Sequence, residues 1–328
     1  MEYILLIIGL ILLIKGADFL VDGSSSLAKK LGVSTLVIGL TVVSFGTSAP
    51  ELIVNIIAAV NGNSDVSLGN VIGSNLANLL LVLGLSALIM PLCVQRSTTW
   101  KEIPFALLAV CVLFIFSNKL LLDGHDITVL TRTDGLIMLA FFIIFLYYAF
   151  EMAKNDKSTK EGKKALTQED KAIETYPYYK SFIFILGGLL ALYFGGKWVV
   201  EGAVTIAMQL NISEFLISAT VIAIGTSLPE LVTSIIAATK KEVDLAVGNV
   251  VGSNIFNIFL VLGTTSTVAP INIQRYINAD ILILLGITFL LFFYMFLGKK
   301  HILEKWQGGI FVGLYVAYIV TLVLTAQA

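Results

Sequence analysis

Glu51 and Glu230 each stand mid-way along a long apolar stretch, in the motifs GTSAPE at Gly46–Glu51 and GTSLPE at Gly225–Glu230. A charged residue at the centre of a bilayer costs roughly 2.5–3.5 kcal/mol on insertion scales, so it is a functional candidate by default. The bland alternative is neutralisation by a helix Lys or Arg. It fails because the second, third, seventh and eighth apolar stretches contain no basic residue. Thr47 and Glu51 are four apart, as are Thr226 and Glu230, so hydroxyl and carboxylate share a helix face. Pro50 and Pro229 interrupt backbone hydrogen bonding one turn upstream. That frees carbonyl oxygens near Ser44 and Ala223 to act as cation ligands at a broken helix, with Ser48 and Ser227 beside them. A lone TSxP is only a bend; two copies, each ending in Glu, argue for more.

In the following apolar stretches Ser74 and Asn78, and Ser253 and Asn257, repeat the four-residue spacing. Their oxygens complete a shell of carboxylate, carbonyl, hydroxyl and amide ligands, and six to eight oxygens suit Ca²⁺ better than Mg²⁺, which retains waters. Ser and Asn also glue helices together, and Gly69/Gly73 and Gly248/Gly252 are GxxxG packing pairs. Asn70, Asn75, Asn249 and Asn254 read as structural by the same reasoning. Two carboxylates meeting near the midplane repel one another unless a cation sits between them. A divalent ion neutralises the pair.

The elements that must hold these groups are membrane helices. Of 328 residues, 57% are apolar and only 13% charged, with a net charge of −1 and a mean hydropathy of +0.93. Soluble domains carry about 25% charged residues, and nucleic-acid binding needs a basic footprint that is missing. Cys93 and Cys111 are too few for a disulfide framework and lack metal-ligand spacing. Ten stretches are apolar enough to span: Tyr3–Leu20, Val33–Val60, Val66–Met90, Ile103–Phe116, Leu136–Phe150, Phe182–Val200, Ile212–Ala238, Val243–Val268, Ile281–Leu297 and Gly308–Leu324. Strict alternation is absent, which removes a barrel, and the first stretch begins with Glu2 instead of a basic region, unlike a signal peptide.

Sixteen Lys and Arg fall on one set of alternate loops and four on the other, with Lys15 inside the first span. Basic loops face the cytoplasm, so both termini face outward. The Lys-rich stretch 153–179 reads as a solvated cytoplasmic linker, and Trp100, Trp198 and Trp306 as interfacial anchors. Snorkelling accounts for Lys15, Asp18, Asp22, Lys197 and Glu201, and His125 with Asp123 and Asp126 reads as a solvated loop.

The chain repeats itself. Residues 9–84 and 188–263 align at a constant offset of 179, and Gly69–Gly84 matches Gly248–Gly263 at 11 of 16 positions. Five spans per half is an odd number, so the second half enters the membrane inverted. The basic pairs agree: Lys29 and Lys30 correspond to Met208 and Gln209, and Lys240 and Lys241 to Asn61 and Gly62. The expected fold is an all-α polytopic membrane protein of ten helices, with repeats at 1–152 and 180–328 around the linker 153–179.

At these motifs the sequence resembles the sodium/calcium exchanger family of the calcium/cation antiporter superfamily, whose paired GTSxPE and GNxxGSN…N patterns occur here in both copies. The resemblance implies Ca²⁺ and Na⁺ binding by Glu51 and Glu230, by Thr47, Ser48, Thr226 and Ser227, by Ser74, Asn78, Ser253 and Asn257, and by the carbonyls of Ser44 and Ala223. It also implies alternating access by sliding of Tyr3–Leu20 and Phe182–Val200 against a stationary core. Some sodium-coupled members carry Asp at one or both positions matching Asn78 and Asn257. Both are amides here, which leaves a site charge near −2.

The expected function is exchange of Ca²⁺ for Na⁺, with Ca²⁺ and Na⁺ as substrates, no cofactor, lipid as the surroundings, and no nucleic acid or identifiable protein partner. The alternative is proton-coupled Ca²⁺ exchange, since two glutamates can trade one Ca²⁺ for two protons. A channel would not need paired broken helices. Zinc hydrolysis would need HExxH, and serine catalysis an activating base; neither is present in the sequence, so an enzyme is not expected.

Overall fold

The computed structural model describes residues 2–119, 129–158, 174–209, 225–274 and 277–325. Its helices are α1 (Tyr3–Leu31), α2 (Thr35–Thr47), α3 (Ala49–Val60), α4 (Val66–Ile89), α5 (Arg96–Ser117), α6 (Arg132–Asn155), α7 (Tyr178–Gln209), α8 (Leu228–Thr239), α9 (Val243–Val268), α10 (Ile277–Tyr294) and α11 (Lys305–Leu324). Among the described residues, eight are long and apolar enough to cross a membrane, and α2 with α3, bent by 43° at their break, brings the number to nine if the pair is counted as one span. The first part of the expected seventh span, 212–224, lies outside the described residues, as do the His125 loop and most of the linker.

Helices run past the apolar stretches that announce them. α1 continues to Leu31 and α7 to Gln209, because small and polar residues extend a helix that already has a buried face. Lys197, Trp198 and Glu201 therefore lie within α7 instead of at its end.

The bends have local causes. α3 and α8 both start with Pro at a first-turn position, where no amide donor is needed. Ser48 (φ −88°, ψ 2°) and Ser227 (φ −87°, ψ 3°) share one conformation just before them. Further along, Gly62 and Lys241, again 179 apart, both take positive φ, 78° and 65°. A lysine held there is a sign that the backbone pattern is imposed by the surrounding structure.

α4 and α9 form the centre: 72% and 94% of their apolar windows are buried, against 22% for α6 and α11. Ile143, Tyr147 and Phe150 on α6 are about two-thirds exposed, at 65%, 65% and 67%, as expected of a lipid-facing surface. On the inner side, Phe142 meets Phe256 edge-on and Phe141 stacks on Phe259, which fastens α6 to α9.

Two close approaches set the geometry. A Cβ on Gly248 would come within 2.8 Å of the Leu36 carbonyl oxygen, and one on Gly252 within 2.3 Å of Ser44 Oγ, so these glycines let α2 lie directly on α9. A Cβ built at Gly69 or Gly73 meets no described residue within 4 Å; the segment that corresponds to Leu36–Ser44 at the offset of 179, residues 215–223, lies outside the described residues. The second approach joins α1 to α7. Gly9, Gly16 and Gly23 face Gly195, Gly188 and Ser181, with built Cβ atoms 2.9, 2.9 and 2.8 Å from the opposing carbonyls. Ser26 Oγ, 2.9 Å from Ser181 Oγ, also accepts the Tyr176 amide at 2.8 Å and closes the seam.

Two short antiparallel pairings tie loops together: β1 (Leu92–Cys93) with β4 (Ile302–Leu303), and β2 (Val129–Leu130) with β3 (Ile271–Asn272). The segments β1 and β3 are 179 residues apart, and each pairs with a strand from the other half of the chain.

Asp18 and Asp22 are not simply snorkelling. Lys240, in the turn between α8 and α9, lies 2.6 Å from a carboxylate oxygen of each. At their offset partners, Lys197 and Glu201 pair only with one another, at 3.8 Å, because Asn61 stands where a second Lys240 would be.

Candidate cation-binding site

Glu51 and Glu230 occupy the first turns of α3 and α8 and are 0% and 1% exposed. Thr226 stands beside Glu51 and Thr47 beside Glu230, and the two carboxylates are close enough to act on one another electrostatically. Ser48 Oγ donates to Glu230 Oε1 at 3.2 Å. The backbone breaks at Ser48 and Ser227 are what turn these groups inward: the helix restarts, and its first turn points side chains at α4 and α9.

The hydroxyl network repeats at the same offset as the sequence. Thr47 Oγ1 donates to Asn249 Oδ1 at 3.2 Å and lies 3.5 Å from Ser253 Oγ. Thr226 Oγ1 donates to Asn70 Oδ1 at 3.1 Å and lies 3.4 Å from Ser74 Oγ. Each contact crosses from one half of the chain to the other. Asn78 and Asn257 sit in π-helical turns, Ala77–Val82 and Phe256–Leu262, a distortion frequent at functional sites. Asn78 Nδ2 donates to Asn254 Oδ1 and Asn257 Nδ2 to Asn75 Oδ1, both at 3.1 Å.

Ser44 Oγ donates to the Gly39 carbonyl at 2.7 Å and reaches the Asn249 carbonyl at 3.0 Å. The Ser44 carbonyl accepts the Ser48 amide at 3.0 Å and lies 3.5 Å from Thr47 Oγ1. Ala223 lies outside the described residues.

Most of the unmatched atoms at the site are acceptors, with Asn70 Nδ2 the unmatched donor beside them. Glu51 Oε1 and Oε2, Glu230 Oε2, Asn78 Oδ1 and Asn257 Oδ1 are buried and accept no hydrogen bond from a described residue in good geometry, and Ser227 Oγ has no partner among the described residues either. Buried acceptors without donors are costly, and five from four neighbouring residues make this the candidate cation site. Carboxylate, amide and hydroxyl oxygens make a hard-cation donor set.

Some supporting residues were not singled out from the sequence. Asn55 Nδ2 donates to the Glu51 carbonyl at 2.7 Å and its Oδ1 accepts Ser67 Oγ at 2.9 Å; Asn249 Nδ2 donates to Ser234 Oγ at 3.0 Å. The position of Asn55 one turn after Glu51 was the available signal. Glu102, wholly buried on α5, is held by the Tyr148 hydroxyl, apart from this site. A cavity of about 300 Å³ reaches the site between α3, α7 and α8, with Pro50, Val54, Lys197, Glu201 and Thr226 in its wall.

The chain is similar along almost its whole length to proteins of known kind. The family model described as sodium/calcium exchanger protein matches residues 1–151 and 180–324. The putative antiporter CaxA of Alkalimonas amylolytica is 37% identical over 321 residues, 96% of each chain. The sodium/calcium exchanger MaX1 of Methanosarcina acetivorans is 30% identical over 348 residues, 98% of each. Among solved structures, the sodium–calcium exchanger NCX_Mj soaked with Na⁺ and Sr²⁺ superposes with a TM-score of 0.81 at 32% identity, over 97% of both chains. With its paired motifs, its helical membrane fold and these matches over both halves, the chain is a multi-pass integral membrane protein and belongs to the sodium/calcium exchanger family.

Proposed function

We propose that the protein is a secondary antiporter, not an enzyme, that exchanges Ca²⁺ for Na⁺ across the cell membrane by alternating access. The observation that carries this reading is the set of five buried acceptor oxygens on Glu51, Glu230, Asn78 and Asn257 that no donor among the described residues satisfies. Two carboxylates give a site charge of −2, which one Ca²⁺ or two monovalent ions balance. The remaining ligands are Thr47, Ser48, Thr226, Ser227, Ser74 and Ser253, with the carbonyls of Ser44 and Ala223. An exchanger needs oxygens that suit either ion and a site too costly to leave empty, because an unneutralised buried pair opposes the conformational change.

The architecture is ten spans in two inverted repeats, 1–152 and 180–328, joined by a cytoplasmic linker at 153–179, with both termini outside. The matched backbone conformations at Ser48 and Ser227 and the reciprocal strand pairings support it. In this arrangement the cavity beside Glu201 opens outward and the Lys240 turn faces the cytoplasm. α1 and α7, joined by their glycine seam, slide together against the core. Ca²⁺ and Na⁺ are the substrates; lipid surrounds the chain, and no cofactor, nucleic acid or protein partner is part of the reading.

Proton coupling is not favoured, since the relatives matched over nearly the whole chain include a sodium/calcium exchanger. Purified protein in vesicles should take up radiolabelled Ca²⁺ when a Na⁺ gradient is imposed and not when a pH gradient is imposed without Na⁺. Uptake driven by the pH gradient alone overturns the sodium assignment.

A further inference from the structure

An amide ligand has a difficulty that a carboxylate does not: only one of its two ends can bind a cation. Asn78 and Asn257 are useful to a positive ion only if Oδ1, not Nδ2, faces it. The structure contains what would settle that choice. Asn75 Nδ2 donates to the backbone carbonyl of Asn254 at 3.3 Å, and a backbone carbonyl is an acceptor only. Asn75 is thereby fixed with Oδ1 pointing the other way, and that oxygen accepts Asn257 Nδ2 at 3.1 Å. The second amide is then fixed in turn, with its own Oδ1 left unpartnered. Across the repeat, Asn254 Oδ1 accepts Asn78 Nδ2 at 3.1 Å, and Asn78 Oδ1 is likewise left free. Asn75, Asn78 and Asn257 are fully buried and Asn254 is 4% exposed, so water does not compete for these bonds.

We propose that Asn75 and Asn254 are positioning residues: each takes the amide hydrogens of the other half's ligand asparagine and so turns that ligand's carbonyl oxygen onto the transported ion. This rests on the cation-site reading above. It gives a reason for four asparagines where two would supply the ligands, and it carries a condition. A carboxylate at position 78 or 257 presents oxygen from both ends and needs no such orientation, so the dependence on Asn254 and Asn75 exists only while the ligand is an amide.

The test is a pair of double-mutant cycles read by equilibrium binding of radiolabelled Ca²⁺ to the purified full-length protein. Asn254→Leu, which keeps the branching at Cγ and the number of heavy atoms and removes the acceptor, should weaken Ca²⁺ binding about tenfold, the usual loss on removing a group that orients a metal ligand. In the Asn78→Asp background the same change should cost less than about twofold, within the ordinary error of additivity. Asn75→Leu should behave in the same way with Asn257→Asp. Equal losses in the two backgrounds mean a packing role and overturn the proposal. If the leucine variants do not fold, Asn254→Asp carries the test with the opposite pattern. It keeps an acceptor for Asn78, and affinity should hold; combined with Asn78→Asp it sets carboxylate against carboxylate, and affinity should fall about tenfold. Equal effects of Asn254→Asp in both backgrounds again overturn the proposal. Glu51→Gln separates this from the wider reading. Lost binding there with wild-type binding in Asn254→Leu removes only the positioning role, whereas retained binding in Glu51→Gln removes the site itself.

Discussion

Ser48 donates its hydroxyl hydrogen to Glu230 at 3.2 Å, across 182 residues of sequence, while the hydroxyl of Ser227, its counterpart 179 residues on, has no partner among the described residues. The repeats supply equal groups, but this conformation uses them unequally: Glu230 accepts the Ser48 hydroxyl, while Glu51 has Thr226 beside it and no well-formed hydrogen bond from a described residue on either oxygen. Hydrogen bonds to charged groups contribute about 1.5–3 kcal/mol. Ser48→Ala should therefore weaken Ca²⁺ binding about tenfold, and Ser227→Ala should do less. Calorimetric titration of both variants checks the order; a larger loss in Ser227→Ala would show that the inequality is not a property of the resting protein.

The glycine seam should be intolerant of any side chain. A Cβ on Gly188 would lie 2.6 Å from the Gly16 carbonyl oxygen, whereas one on Gly187 meets no described atom within 4 Å. Gly188→Val must push two backbones apart and should destabilise the protein by about 1–3 kcal/mol. Gly187→Ala should melt like wild type. Thermal unfolding in detergent compares them, and equal melting temperatures would mean that α1 and α7 are not closely apposed.

Much of this was legible before any coordinates. The offset of 179 located both motifs, and four-residue spacing placed Thr47 with Glu51 and Ser74 with Asn78. What the sequence withheld was pairing between halves. Hydropathy ends α1 at Leu20, yet the helix runs to Leu31, because its polar continuation is buried against α7. Asp18 and Asp22 look like interfacial charges until Lys240, more than two hundred residues away, is seen between them. Asn75 and Asn254 look like generic helix glue, since no local spacing tells which amide faces which.

Lys240 should act as a latch on the side that the proposed orientation turns to the cytoplasm. Burial lowers its tendency to hold a proton, but hydrogen bonds and charge from Asp18 and Asp22 more than offset this, and its pKa is held above the ordinary lysine value. The latch therefore persists across neutral pH and is lost only as pH rises through that elevated value. Lys240→Met should expose α1 at neutral pH. With Cys93 and Cys111 replaced by Ser, a probe at the fully buried Val21, Val21→Cys, should react with maleimide several-fold faster once Lys240→Met is added. Unchanged labelling would remove the latch.

The cavity lined by Val54, Lys197 and Glu201 should be the outer entrance. In the same cysteine-free background, Val54→Cys should react with a membrane-impermeant thiol reagent applied outside intact cells, and Ca²⁺ should slow the reaction. Labelling only from the cytoplasmic side would reverse the assigned orientation.

The account stands on Glu51 and Glu230 holding Ca²⁺ and Na⁺ in turn. Equilibrium binding of radiolabelled Ca²⁺ to the purified protein, with Na⁺ as competitor, tests this most directly. Wild type should bind one Ca²⁺ that Na⁺ displaces, while Glu51→Gln and Glu230→Gln, each taking away one of the two negative charges that neutralise the buried ion, should lose about 3 kcal/mol or more of affinity, at least a hundredfold. Ca²⁺ binding that survives in both variants, or that Na⁺ cannot displace from wild type, would contradict it.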